Sequence, residues 1–239
     1  MNLSTLSLPK YKDVFFDLDG TLVDTMGLWG DAHVLYIRQM GKEPHANFRD
    51  EREYAFAKYA KLKNSHSSVM EHINNLYGIK GITGEEAYKF LRENVKSKLR
   101  TIEYKPYADK FLLELKERGA GLTLVTMAER DMIDILMNEN ENIKAAANFR
   151  EVFDKRIITY NDVERKKPEP DCYLLASSMA GSHKSQQLVF EESLHGALAA
   201  KRAKLDTCII YCKHADRDRA ELLKITPYHA KCYSEFLNV

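Results

Sequence analysis

Residues 13–25 read Asp13-Val14-Phe15-Phe16-Asp17-Leu18-Asp19-Gly20-Thr21-Leu22-Val23-Asp24-Thr25. The first half, through Leu18, is a short apolar run stopped by a turn at Asp19-Gly20-Thr21, which is the pattern of a buried parallel strand. Four further runs of this kind come much later, at 121–126 (GLTLVT), 156–160 (RIITY), 187–191 (QLVFE) and 207–212 (TCIIYC). Segments with helical spacing lie between them, over 108–118 (closed by Gly119), 129–139, 170–180 and 194–204. Strands alternating with helices predict βαβ crossovers and a parallel sheet covered on both faces. The expected fold class is α/β, a doubly wound parallel sheet.

The gap between the first two strands is too long for an ordinary connection. Residues 24–105 show no strand pattern but four helical ones: His33-Val34-Tyr36-Ile37-Met40, Tyr54-Phe56-Tyr59-Ala60-Leu62, Val69-Ile73-Leu76-Tyr77 and Ala87-Phe90-Leu91-Val95-Leu99. Thr83 and Glu86 stand at capping-box spacing before the last. We expect an all-helical domain over 24–105, inserted after the first strand of a core formed by 1–23 and 106–239, with Pro106 marking the return. Residues 213–239 suggest a loop, a short helix and a weakly apolar end.

The 239 residues, 44% of them hydrophobic, suffice for a large α/β domain or a core plus an insertion. Lys and Arg total 36 against 35 Asp and Glu, a balance that offers no attraction to nucleic acid or to an anionic membrane surface. No apolar stretch of about 18 residues suggests a membrane span, and residues 1–12 lack the regions of a secretory signal. The expected setting is the cytoplasm. Cys172, Cys208, Cys212 and Cys232 form no CxxC pair and have no zinc-finger spacing, so they read as reduced packing residues. The histidines also lack ligand spacing. No heptad or apolar stripe demands a partner, so a monomer or weak homodimer is expected.

Open parallel sheets place their sites at the carboxyl ends of strands. The first run ends in Asp17 and Asp19, two apart on an extended chain, with Gly20 permitting an abrupt turn. The second ends in Thr126. Lys166-Lys167-Pro168-Glu169-Pro170 follows the third, and the fourth ends in Glu191-Glu192-Ser193. Carboxylates, a hydroxyl and an ammonium converging on one crevice suit phosphoryl transfer. A carboxylate can attack phosphorus once a cation neutralises the phosphate. Oxygen ligands from the first and fourth strands would hold Mg²⁺. Lys and Thr would bind the other phosphoryl oxygens, helped by backbone N–H groups of the turn at Gly20.

Asp17-Leu18-Asp19-Gly20-Thr21-Leu22-Val23-Asp24-Thr25 resembles the first motif of the haloacid dehalogenase (HAD)-like superfamily, in the subgroup of β-phosphoglucomutase and sugar-phosphate phosphatases. Thr126 matches its second motif, Lys167-Pro168-Glu169-Pro170 its third, and Glu191-Glu192-Ser193 with Gly196 and Ala199-Ala200 its fourth. The helical insertion lies where that subgroup carries its cap. The resemblance implies Asp17 as nucleophile and metal ligand. Asp19 would be the acid/base and lend its backbone carbonyl to the metal. Thr126 and Lys167 would bind phosphate, Glu192 would be a metal ligand, and Glu191 would stand nearby, acting through water. It further implies Mg²⁺ and a small phosphorylated metabolite as substrate, with a sugar phosphomutase or a non-catalytic relative as rival readings.

Two features depart from the pattern. Glu192 stands where the subgroup usually has Asp, so a longer side chain must fold back or displace a water to reach the metal. Met127 follows Thr126 where Asn, Ser or Ala is common. In the insertion, Arg49, Arg52 and Lys63 are candidates for holding a second phosphate but read as surface charges, and Trp29 and His33 suit substrate lining or hinge packing equally. Arg130 reads as a surface residue. Lys167 is preferred to Lys166 because it directly precedes Pro168.

Overall fold

A computed structural model describes residues 6–59, 62 and 64–237. The chain forms two compact units, Met1–Thr25 with Leu99–Val239, and Met26–Lys98.

The first unit is built on a parallel sheet whose strands are β1 (Asp13–Phe16), β2 (Gly121–Val125), β3 (Ile157–Ile158), β4 (Gln187–Glu191), β5 (Asp206–Ile210) and β6 (His229–Ala230), in the order β3-β2-β1-β4-β5-β6. Chain order reverses direction between β1 and β4, which makes the crevice at their carboxyl ends the natural place for a site. Every residue of β1 is buried, as expected of a central strand covered on both faces. Phe16 and Phe190, aligned across β1 and β4, stack with ring centroids 5.0 Å apart, and Phe111, Tyr233 and Phe236 extend this aromatic layer. Asp13, buried at the start of β1, is neutralised by Arg156 at 2.9 Å.

The first strand is shorter than the apolar run: pairing as a strand stops at Phe16, and residues 17–25 form a compact loop. The carbonyl of Leu18 accepts from the N–H groups of Thr21, Leu22 and Val23. Gly20 adopts φ +81°, a left-handed conformation that costs glycine nothing. Residues 99–105 stay with this unit, where Tyr104 pairs antiparallel with Val23 and Lys105 Nζ donates to the carbonyls of Gly20 and Tyr211.

The second unit carries the helices α1 (Leu28–Gln39), α2 (Phe48–Tyr59), α3 (Ser65–Tyr77) and all but the last residue of α4 (Gly84–Leu99). The expected capping box is formed, with Thr83 N–H donating to Glu86 at 2.8 Å and Glu86 N–H to the Thr83 hydroxyl at 3.2 Å. Ala87, Leu91, Val95 and Leu99 are buried along α4, and Tyr36 of α1 donates to Asn74 of α3 at 2.7 Å. Helix α2 departs from expectation. Tyr54 is 60% exposed, and this helix buries Phe48 and Ala55. The rings of Tyr54 and Tyr59 pack instead against His72. Ala60 and Lys63 lie outside the described residues.

The remaining helices return to the sheet unit: α5 (Ala108–Glu117), α6 (Arg130–Asn138), α7 (Glu141–Ala146), α8 (Phe149–Phe153), α9 (Asp171–Met179), α10 (Leu194–Arg202) and α11 (Arg219–Ile225). Among the described residues, no helix is long and apolar enough to cross a membrane. All four cysteines are free thiols.

Candidate active site

Asp17 is the first residue past β1, and its N–H still donates to the carbonyl of Phe190 at 3.0 Å, so the ladder to β4 fixes its position. Glu191 closes β4 one step further along the same pair. Their carboxylates and that of Glu192 lie within 4.8 Å of one another, all buried. Lys167 completes the group. Its Nζ is 2.7 Å from Asp17 Oδ1, 2.6 Å from Glu191 Oε1 and 3.0 Å from the Val125 carbonyl at the end of β2. Lys166 points elsewhere, donating to the carbonyls of Tyr160 and Val163.

Several other groups hold this cluster in place. The Tyr173 hydroxyl, fully buried in the first turn of α9, donates to Glu191 Oε1 at 2.6 Å, and Ser193 donates to Glu191 Oε2 at 3.2 Å while capping α10. Thr21 donates to Glu192 Oε2 at 2.6 Å. Thr25 donates to Asp19 Oδ1. Gly196 leaves the space that Glu191 occupies, since a Cβ there would sit 1.9 Å from its Oε1. The sequence reading named Ser193 and Gly196 only as part of a motif and missed Tyr173, Thr21 and Thr25 as anchors. For Tyr173 a signal was present: a tyrosine buried in a helix that follows the strand-end lysine needs a partner for its hydroxyl.

Thr126 is fully buried just past β2, where its hydroxyl accepts from Ala128 N–H at 3.0 Å. Gly20 belongs to the same loop as Asp19, but its N–H donates to the Val23 carbonyl at 2.7 Å. That bond closes the turn, so this amide is not free to bind phosphate as expected. Arg130 pairs with Asp162 at 2.9 Å, away from the cluster.

The electrostatics follow from burying three carboxylates with one ammonium. Burial raises the Asp17 pKa to about 7, with Lys167 opposing and the charges of Glu191 and Asp19 adding to the rise. Burial likewise pushes Glu192 well above the carboxylate range, reinforced by Glu191 and Asp17 and only partly offset by Thr21. Glu191 ends low: burial works against its ionisation, but the charge and hydrogen bond of Lys167 and the Tyr173 hydroxyl prevail. Lys167 is held firmly protonated by Asp17 and Glu191 despite its burial. Asp19 is raised by burial against the hydroxyls of Thr25 and Thr126.

This donor set fits a hard divalent cation. All its ligating atoms are oxygens, and burial, reinforced by the neighbouring carboxylates, raises the pKa of Asp17 and Glu192, a cost that a bound cation would offset. Glu191 has bonds on both oxygens, whereas Asp17 is bonded by Lys167 through Oδ1 and Glu192 by Thr21 through Oε2.

An α/β sheet with a helical insertion after its first strand, and buried carboxylates and a lysine at its strand ends, defines the class of HAD-like hydrolases. The model of the haloacid dehalogenase-like hydrolase family matches residues 14–210, and the chain belongs to that family. It is 25% identical over 201 residues to the putative phosphatase YhcW of Bacillus subtilis, covering 83% of each chain. It is 24% identical over 199 residues to the pyrophosphatase PpaX of Oceanobacillus iheyensis, again over 83% of each. Among solved structures, a putative β-phosphoglucomutase from Thermotoga maritima superposes with a TM-score of 0.71 at 21% identity, covering 92% of this chain and 94% of the other.

Proposed function

We propose that this chain is a Mg²⁺-dependent phosphatase that hydrolyses small phosphate monoesters, sugar phosphates among them, through an aspartyl-phosphate on Asp17. The observation that carries the reading is the Asp17–Lys167–Glu191–Glu192 cluster at the sheet's reversal point. Relatives named phosphatase and pyrophosphatase support phosphatase-type chemistry.

Asp17 and Glu192 would hold Mg²⁺ directly, with Glu191 and the Asp19 backbone supporting it; when bound, the ion neutralises phosphoryl charge and the negative cluster. An oxygen of Asp17 attacks phosphorus and the ester P–O bond breaks. Asp19, whose raised pKa suits a proton carrier, protonates the departing alkoxide. Asp19 then takes a proton from water as that water attacks the phosphorus of the acyl-phosphate, releasing inorganic phosphate and restoring Asp17. Lys167 and Thr126 bind the non-reacting phosphoryl oxygens, Lys167 moving part of its bonding from Asp17 to the substrate. The proposed setting is the cytoplasm, with the chain a monomer or weak homodimer.

The test is phosphate release from an aryl phosphate and a metabolite panel, with Mg²⁺, with a chelator, and in Asp17→Asn. Turnover that needs the metal and vanishes in the variant is the expected result. A folded protein releasing nothing from any compound would overturn the reading.

A further inference from the structure

Lys105 ends the segment 99–105 that belongs to the sheet unit. It is half-buried, and its ammonium makes no ion pair among the described residues. A cation drawn partly out of water without a bonded counter-charge needs other polar partners. Lys105 Nζ finds them in two backbone carbonyls, that of Gly20 at 2.6 Å and that of Tyr211 at 2.8 Å.

The two carbonyls belong to parts of the chain held in different ways. Tyr211 is the first residue past β5, and its N–H donates to the Ala230 carbonyl at 2.8 Å, so the sheet ladder fixes it. Gly20 lies in the loop after β1. Glycine has the widest choice of backbone conformations, so sterics alone do not fix the peptide that follows it. On its Thr21 side that peptide is tied by a long bond, Thr21 N–H to the Leu18 carbonyl at 3.3 Å. On its Gly20 side it is tied by the shorter, charge-assisted bond from Lys105.

Working side chains stand on both sides of this point. Asp19 comes directly before Gly20, and Thr21, whose hydroxyl holds Glu192 Oε2 at 2.6 Å, directly after. A rotation at Gly20 redirects one against the other.

We infer that Lys105 is a positioning residue for phosphoryl transfer: its ammonium ties the Gly20 carbonyl to the end of β5 and thereby sets the directions of the Asp19 and Thr21 side chains. The inference rests on the phosphatase reading, because it acts through Asp19 as the proton carrier.

Lys105 lines an open cavity of about 510 Å³ together with Asp24, Tyr104, Tyr211, Lys213 and Lys231, so a truncated side chain leaves a space that a small amine can enter. Lys105→Ala removes the atoms from Cγ to Nζ, which n-propylammonium replaces one for one. Lys105→Met removes the charge but keeps the space filled. Phosphate release from phenyl phosphate is measured at saturating Mg²⁺. In both variants kcat should fall about tenfold or more, since misdirected catalytic groups lose rate steeply. KM should stay within about twofold, because substrate binding is not what Lys105 serves. Added n-propylammonium should restore kcat saturably in Lys105→Ala and leave Lys105→Met and the unaltered chain as they were. The same length of n-propanol, which lacks the charge, should restore little. A lysine that merely packs would lower the melting temperature without this pattern.

A kcat of Lys105→Met within about twofold of the unaltered chain would overturn the role. So would a loss in Lys105→Ala that n-propanol restores as well as n-propylammonium does, or that neither restores. Should Lys105→Ala fail to fold, Lys105→Met decides, since it keeps the packing of the stem. No turnover by the unaltered chain refutes the phosphatase reading and the role with it, whereas turnover matched by Lys105→Met refutes the role alone.

Discussion

Replacing Gly196 by alanine asks whether the Glu191 carboxylate has to stand where it does. The new Cβ would lie 1.9 Å from Oε1, 2.0 Å from Cδ and 2.1 Å from Oε2. Ordinary contact begins at 3.4 Å, so even the least crowded of these atoms must retreat by about 1.3 Å. Lys167 and Tyr173 each hold Oε1 at 2.6 Å, and a shift of that size takes both bonds to the edge of hydrogen-bonding range. Each is charge-assisted and contributes about 1.5–3 kcal/mol, so losing the two costs on the order of 3–6 kcal/mol. Urea unfolding of Gly196→Ala should show that loss, and phosphate release should need far more Mg²⁺ for half-maximal rate. An unfolding free energy within about 0.5 kcal/mol of the parent, the usual scatter of a neutral surface change, together with an unchanged metal requirement, would refute the reasoning.

Tyr173→Phe removes one of those bonds without adding bulk; it should lower stability by about 1.5–3 kcal/mol and raise the Mg²⁺ needed for half-maximal phosphate release about tenfold or more, and superimposable metal titrations would count against it. Thr21→Val deletes the bond that lowers the Glu192 pKa, so the acid limb of the pH–rate profile should move to higher pH; an unmoved limb would mean that Glu192 does not govern it. The Asp17 pKa, near 7 in the metal-free fold against an ordinary 3.8, makes the folded state hold a proton that the unfolded chain releases. This contribution to stability is complete below the ordinary value and is lost as pH rises through about 7. Mg²⁺ replaces that proton, so the rise in melting temperature it causes should be larger at about pH 8 than at about pH 5.5. Equal shifts at the two pH values would be the contrary result.

The sheet was legible in the sequence wherever a strand lay in a buried apolar run. Residues 187–191 read as a strand and are one, with every side chain inside. The sixth strand was not, because His229 and Ala230, between Tyr228 and Lys231, belong to no apolar run, whereas the equally short third strand sits in one. Helices α7 and α8 were missed because they are short, being six and five residues long. In α2 the aromatic spacing misled, since Tyr54 stays exposed against the half-buried His72 where a core was expected. At the site, carboxylates ending apolar runs were visible as a pattern, and so was the preference for Lys167 over Lys166. What anchors them was not, because Thr21 and Glu192 are 171 residues apart and meet only in three dimensions.

The Tyr233 hydroxyl donates to the carbonyl of Thr21 at 3.3 Å, from 212 residues further along the chain. During synthesis at about 5–20 residues per second, roughly 10–40 s separate the making of these two residues. For that interval the loop that carries Asp17 and Asp19 lacks one of its buried supports, along with the Tyr233 and Phe236 rings packed against Phe190. A nascent chain therefore makes this acidic loop early and completes its support late, so a ribosome-bound fragment ending before Tyr233 holds the loop with one buried bond fewer.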